Sequence, residues 1–105
     1  MKAAMVTFYL KPGKTDEFVN RVQDVLDKTR DTPGLGPIYL VSDPAKNACM
    51  TFGIWETAEE AALWPKNEEF IRFLRESGPL FVSEPVRKVC DVLMIPKGKG
   101  EERVA

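Results

Sequence analysis

Residues 38–60 run Ile38-Tyr39-Leu40-Val41-Ser42-Asp43-Pro44-Ala45-Lys46-Asn47-Ala48-Cys49-Met50-Thr51-Phe52-Gly53-Ile54-Trp55-Glu56-Thr57-Ala58-Glu59-Glu60. Ile38–Ser42 is apolar, with β-branched and aromatic residues, and predicts a short strand; Asp43–Asn47 carries the turn formers Asp, Pro and Asn. Ala48–Glu56 then predicts the strand that returns, so the two form a hairpin. Thr57-Ala58-Glu59-Glu60 has capping-box spacing: Thr57 and Glu60 can each take a free backbone N–H at the start of a helix. A hairpin running straight into a helix is the middle of a βαββαβ chain.

Working outward supplies the two ends. Residues 3–10 (AAMVTFYL) predict a first strand that stops at Lys11-Pro12-Gly13-Lys14. Thr15 is placed to cap a helix with Asp16 and Glu17 in its first turn. Its apolar residues Phe18, Val22, Val25, Leu26 and Thr29 share one face, and Asn20, Gln23, Asp24, Asp27 and Lys28 form the other. Thr32-Pro33-Gly34 ends it. Beyond the hairpin, Pro65 interrupts or kinks the second helix, and Asn67-Glu68-Glu69 restarts it with Phe70, Ile71, Phe73 and Leu74 apolar until Ser77-Gly78-Pro79. Val86–Ile95 predicts the last strand. The expected fold is α+β and ferredoxin-like, an antiparallel sheet of order 4-1-3-2 with both helices on one face. Residues 1–96 form the domain and 97–105 a flexible C-terminal tail.

Composition excludes several chemistries. The chain has 105 residues, 15 Lys plus Arg, 16 Asp plus Glu, two cysteines and no histidine. Without histidine there is no Ser-His-Asp or Cys-His catalysis, no His-based metal site and no histidine to ligate haem. No metal-ligand spacing is present. The near-neutral charge argues against nucleic acid or an anionic membrane as the main partner. No apolar run reaches the ~20 residues that span a bilayer, and the N-terminal pattern does not suit a signal peptide, so the expected location is cytoplasmic. Cys49 and Cys90 fall on strands that the sheet order separates, a poor geometry for a disulfide.

The strands lack the alternation of a sheet with one wet face. In strand one Ala4, Val6, Phe8 and Leu10 oppose Ala3, Met5, Thr7 and Tyr9; in strand three Met50, Phe52 and Ile54 oppose Cys49, Thr51, Gly53 and Trp55. Both sets are largely apolar, yet the helices can cover only one. The uncovered face is expected to pack against a second copy in a homodimer.

Phe8-Tyr9-Leu10-Lys11-Pro12-Gly13-Lys14 before a helix with Phe18, then Thr32-Pro33-Gly34-Leu35, Trp55-Glu56-Thr57, Phe70 and Glu84-Pro85, together resemble the antibiotic biosynthesis monooxygenase domain over residues 3–95. The resemblance implies a dimeric α/β barrel of two ferredoxin-like subunits. It also implies oxygenation of an anthrone or polyphenol to a quinone with no metal, flavin or other cofactor. Such a reaction needs no histidine, because an electron-rich phenolate can itself reduce dioxygen if held in a dry pocket. Trp64, nine residues after Trp55, falls where the haem-degrading branch of the family keeps a tryptophan. That branch's histidine and asparagine would fall at Leu74 and Val6, so both groups are missing. Many members carry histidine around positions 64 and 69, which here are Trp64 and Glu69.

Trp64 precedes the helix-breaking proline and can either stack on a planar substrate or plug the gap between helix and sheet. Asn67 has the position of an N-cap and an amide that can also reach substrate. Glu69 is the carboxylate read as nearest Trp64, a candidate proton acceptor or an exposed helix residue. Arg72 and Arg75 suit a solvated charged face. In the family register Val6 and Phe8 face the helices and form, with Phe70 and Leu74, an apolar wall suited to an aromatic ligand. Phe52 and Tyr39 complete the substrate-binding set, and Trp64, Asn67 and Glu69 the catalytic one. The expected partners are a second copy and a small apolar or aromatic molecule. Non-catalytic ligand binding or regulation, and isomerase or cyclase chemistry, are the alternatives.

Overall fold

The computed structural model describes residues 1–97 and 100–103. The elements run β1 (Lys2–Tyr9), α1 (Thr15–Thr29), β2 (Leu35–Asp43), β3 (Ala48–Trp55), α2 (Ala58–Leu63), α3 (Glu68–Ser77), β4 (Val86–Asp91), β5 (Met94–Lys97) and β6 (Gly100–Arg103). Strands β1 to β4 form one antiparallel sheet in the order β2-β3-β1-β4. This is the expected ferredoxin-like arrangement, and within one chain its edges, β2 and β4, stay open.

Local chemistry sets the boundaries. After β1, Pro12 and Gly13 turn the chain; Gly13 has φ +78°, a conformation that costs glycine no Cβ clash, and Lys14 N–H donates to the Lys11 carbonyl at 3.2 Å. Helix α1 begins as expected, but its N-cap is Lys14 with no side-chain cap, so Thr15 lies inside the first turn and does not cap. At α2 the Glu60 N–H donates to Thr57 Oγ1 at 3.1 Å, half of the expected capping box. Pro65 ends α2 in a 3₁₀ turn, Trp64–Lys66, and Asn67 opens α3: its Oδ1 accepts from the N–H groups of Glu69 at 2.9 Å and Phe70 at 3.1 Å.

Register decides which side chains meet the helices. Val6 pairs with Thr51 and Arg87, and Phe8 with Cys49, so these residues share the helix-facing side. There Phe8 stacks at tilted angles on Phe18 and Phe81, with centroids 4.8 and 5.5 Å away, and meets Phe73 edge-on at 6.1 Å. Ala4, Val22, Val25, Trp55, Ala61, Trp64, Phe70 and Leu80 extend the same core.

The opposite side carries Met5, Thr7 and Tyr9 with Met50, Phe52 and Ile54, and on the edge strands Tyr39, Val41 and Val86. Tyr39 is 60% exposed and Val86 58%. Edge strand β2 contains Pro37 and has a register irregularity between Leu35 and Ile38.

The last strand departs from expectation. Strand β4 stops at Asp91 instead of reaching Ile95, and Met94–Lys97 pairs with Gly100–Arg103 in a separate two-stranded sheet. The tail expected over 97–105 therefore contains strand β6, while residues 98, 99, 104 and 105 lie outside the described residues. Cys49 and Cys90 are both free, and burial pushes the Cys49 thiol above its ordinary pKa.

Candidate functional site

The break between α2 and α3 builds the site. Pro65 cannot continue the α2 hydrogen-bond ladder, so the chain tightens at Trp64–Lys66 and turns the Trp64 indole toward the end of β3. Trp64 is 7% exposed and lies between Trp55 (5.5 Å, 46°) and Phe70 (4.9 Å, 31°). Phe70 continues the series to Phe73 at 6.1 Å and 22°. Aromatic faces are thus arrayed along the helix-to-sheet gap, with Trp64 at its mouth.

Two cavities border Trp64, one toward the core and one toward the surface. On the inner side a space of about 30 Å³ is lined by residues including Phe8, Val22, Ile38, Thr51, Phe70 and Phe73. That is room for roughly one water, far below the ~300 Å³ at which ligand pockets begin. Trp64 therefore does plug the gap between helix and sheet. On the outer side a cavity of about 230 Å³ is bounded by Trp55, Trp64, Leu63, Glu60, Lys66 and Asn67, and by Thr32 and Pro33 of the loop between α1 and β2. Its size suits a ligand somewhat smaller than a drug-sized molecule. Trp64 borders such a ligand with the small part of its indole that stays exposed, and the Asn67 amide, whose oxygen is held by the α3 cap, still has its NH₂ to donate.

The structure groups only part of the expected set. Trp64 and Asn67 line the outer cavity together. Val6, Phe8 and Phe70 are buried in the core, with Leu74 packed against it, so they support the Trp64 wall from behind. Phe52 and Tyr39 do not join them. They pair with each other across β2 and β3, and Phe52 pairs with Met5, which puts both on the opposite face of the sheet. Glu69 also points elsewhere: it lies in the polar groove between α1 and α3, 3.5 Å from Arg72. That groove holds interleaved charges paired along each helix, Glu17 with Arg21 and Asp24 with Lys28 among them, as a solvated face should.

Three side chains at or near the site were not anticipated from the sequence. Glu60, assigned to capping, supplies the carboxylate of the Trp64 cavity, and its position four residues before Trp64 on one helix face was the available signal. Lys66 lines the same space. Arg87 reaches from β4 to donate to the Ala61 carbonyl near the end of α2 at 2.9 Å. Burial lowers the Arg87 pKa, and arginine remains charged. No spacing in the sequence announces Arg87, because its position depends on the β1–β4 register.

Among the described residues no three His, Cys, Asp or Glu side chains are grouped to hold a metal ion, and no helix is long and apolar enough to cross a membrane.

A ferredoxin-like sheet with an aromatic-lined cleft under broken helices defines the structural class. The model of the antibiotic biosynthesis monooxygenase family matches residues 1–76, and the chain belongs to that family. Among solved structures, one described as an antibiotic biosynthesis monooxygenase superposes with a TM-score of 0.76 at 16% identity, covering 91% of this chain and 100% of its own. A protein of unknown function from Nitrosomonas europaea gives 0.78 at 14% identity, covering 92% and 95%. Rv0793 from Mycobacterium tuberculosis gives 0.76 at 11%, covering 93% and 98%. At these identities the likeness establishes the fold. No curated protein matches the chain.

Proposed function

We propose that this chain is a homodimeric, cofactor-independent oxygenase of small hydroxyaromatic molecules. The observation that carries the reading is the outer cavity. It brings together two tryptophans, Trp55 and Trp64, with an amide donor, a carboxylate and an ammonium. Family membership supports the reaction class. The unpaired cysteines suit a reducing compartment such as the cytoplasm.

The chemistry requires little of the protein. The bound substrate loses a proton and the resulting phenolate or enolate gives one electron to dioxygen, leaving a carbon-centred radical and superoxide. Their recombination forms a C–O bond; at an anthrone-type CH₂ carbon, loss of water from the peroxide leaves a carbonyl. One oxygen atom enters the product and the other leaves as water, so no external reductant is consumed. Trp64 would hold the ring system flat, and exclusion of water would keep the radical pair together.

Oxygen uptake with a panel of anthrones, hydroquinones and flavonols tests the reading. Uptake above a protein-free blank that falls in Trp64→Phe is the expected result. Saturable quenching of tryptophan fluorescence without uptake would instead support a binding protein, and a spectral change of the substrate equal under argon would support an isomerase.

A further inference from the structure

Glu60 has a role beyond its backbone cap. Its N–H completes one half of the capping box with Thr57, but no bond from the Thr57 N–H to its carboxylate is formed. The carboxylate instead turns toward the loop between α1 and β2 and lies over Gly34, in the space a Cβ would fill. Gly34 has φ +76°, so this position favours glycine on backbone grounds as well. There the Glu60 Oε2 atom is hidden from solvent and has no hydrogen-bond partner. A buried carboxylate oxygen without a donor is costly, and such an atom in a native fold calls for an explanation.

Because Oε2 is enclosed against Gly34, a ligand in the neighbouring cavity would reach this carboxylate through its other oxygen, Oε1. Glu60 lines the 230 Å³ cavity with Trp64 four residues further along. Lys66, from the 3₁₀ turn, is the other ionisable side chain lining that cavity; the loop side brings Thr32 and Pro33, with Gly34 against the Glu60 carboxylate, and β3 brings Trp55. No salt bridge joins Glu60 to Lys66 among the described residues. Acceptor and cation are thus held apart around one aromatic-walled space.

We propose that Glu60 is the proton acceptor for the hydroxyl, or the acidic C–H, of an aromatic ligand held against Trp64. This deepens the proposed function and rests on its assignment of the outer cavity as the ligand site. In the proton step the substrate O–H or C–H bond breaks, Glu60 gains the proton as a carboxylic acid, and the electron pair stays on the substrate. Lys66 balances the new negative charge. No electron is transferred until dioxygen reacts.

The test uses 4-nitrophenol, a one-ring phenol whose phenolate is visibly coloured, with calorimetric titration across its own ionisation. Wild-type protein should bind the neutral phenol and lose affinity as the probe becomes an anion facing Glu60. Glu60→Gln should bind the neutral form roughly tenfold or more weakly, the usual consequence of losing a hydrogen bond to a charged group. It should also retain or gain affinity for the phenolate beside Lys66, inverting the pH profile, which a purely structural cap would not do. Superimposable affinities and profiles for the two proteins would overturn the role of Glu60 while leaving the cavity as the site. No binding to wild type would overturn both. If Glu60→Gln fails to fold, Glu60→Asp serves: weaker binding with the wild-type pH trend is expected, and unchanged affinity would count against the proposal.

Discussion

At the scale of single residues, Asn67 shows how one side chain serves fold and site together. Its oxygen accepts two backbone N–H groups at the head of α3, while its residue borders the Trp64 cavity. Asn67→Ala should cost about 1 kcal/mol of stability, and Asn67→Asp should recover most of it, because aspartate caps equally well. Urea unfolding followed by circular dichroism measures both. A ligand in the cavity should rank the variants differently from stability, since Asn67→Asp keeps the cap and loses the NH₂ donor. Asn67 was readable from the sequence because a cap acts within three residues. Glu60 was only half readable: its N–H follows Thr57, while its carboxylate responds to Gly34, 26 positions earlier, which no local pattern reports.

At the scale of elements, α2 is the least secured part of the helical layer. It is six residues long, too short to be stable through its own backbone bonds, and Pro65 separates it from α3. Arg87 joins it to the sheet edge through the Ala61 carbonyl, one of the acceptors a helix end leaves open. Arg87→Met, which keeps much of the aliphatic length, should therefore speed amide hydrogen exchange in Ala58–Leu63 severalfold. Exchange in α1 should stay as it was, and equal acceleration throughout would mean a global loss of stability instead. The order of elements as far as β4 and the four-stranded sheet topology were legible in the sequence because period-2 and period-3.6 patterns alternate between clear breakers, whereas the β5–β6 pair was not. Phe52, Tyr39 and Glu69 fall outside the cavity for a common reason: residue type is legible in a sequence, while the face that a side chain occupies is fixed by strand register and helix phase.

At the scale of the whole molecule, the uncovered side of the sheet is the main asymmetry. Phe52, Met50 and Ile54 lie at its centre and Tyr39, Val41 and Val86 on its flanks, a patch consistent with the proposed twofold packing of sheets. Light scattering at micromolar concentration should give a mass twice the 11.8 kDa of the chain. Phe52→Lys should shift it toward the single-chain value while the helix-side core remains folded; a monomeric wild type would refute the packing. Strand β2 adds a further consequence. Pro37 lacks the N–H that a neighbouring strand would need, and the irregularity beside it interrupts the even row of donors and acceptors along that border. Growth of the sheet sideways, copy after copy, is obstructed there, whereas stacking face to face is complete after two copies. The same molecule that is adhesive in one direction is thus protected from open-ended fibre formation in the other.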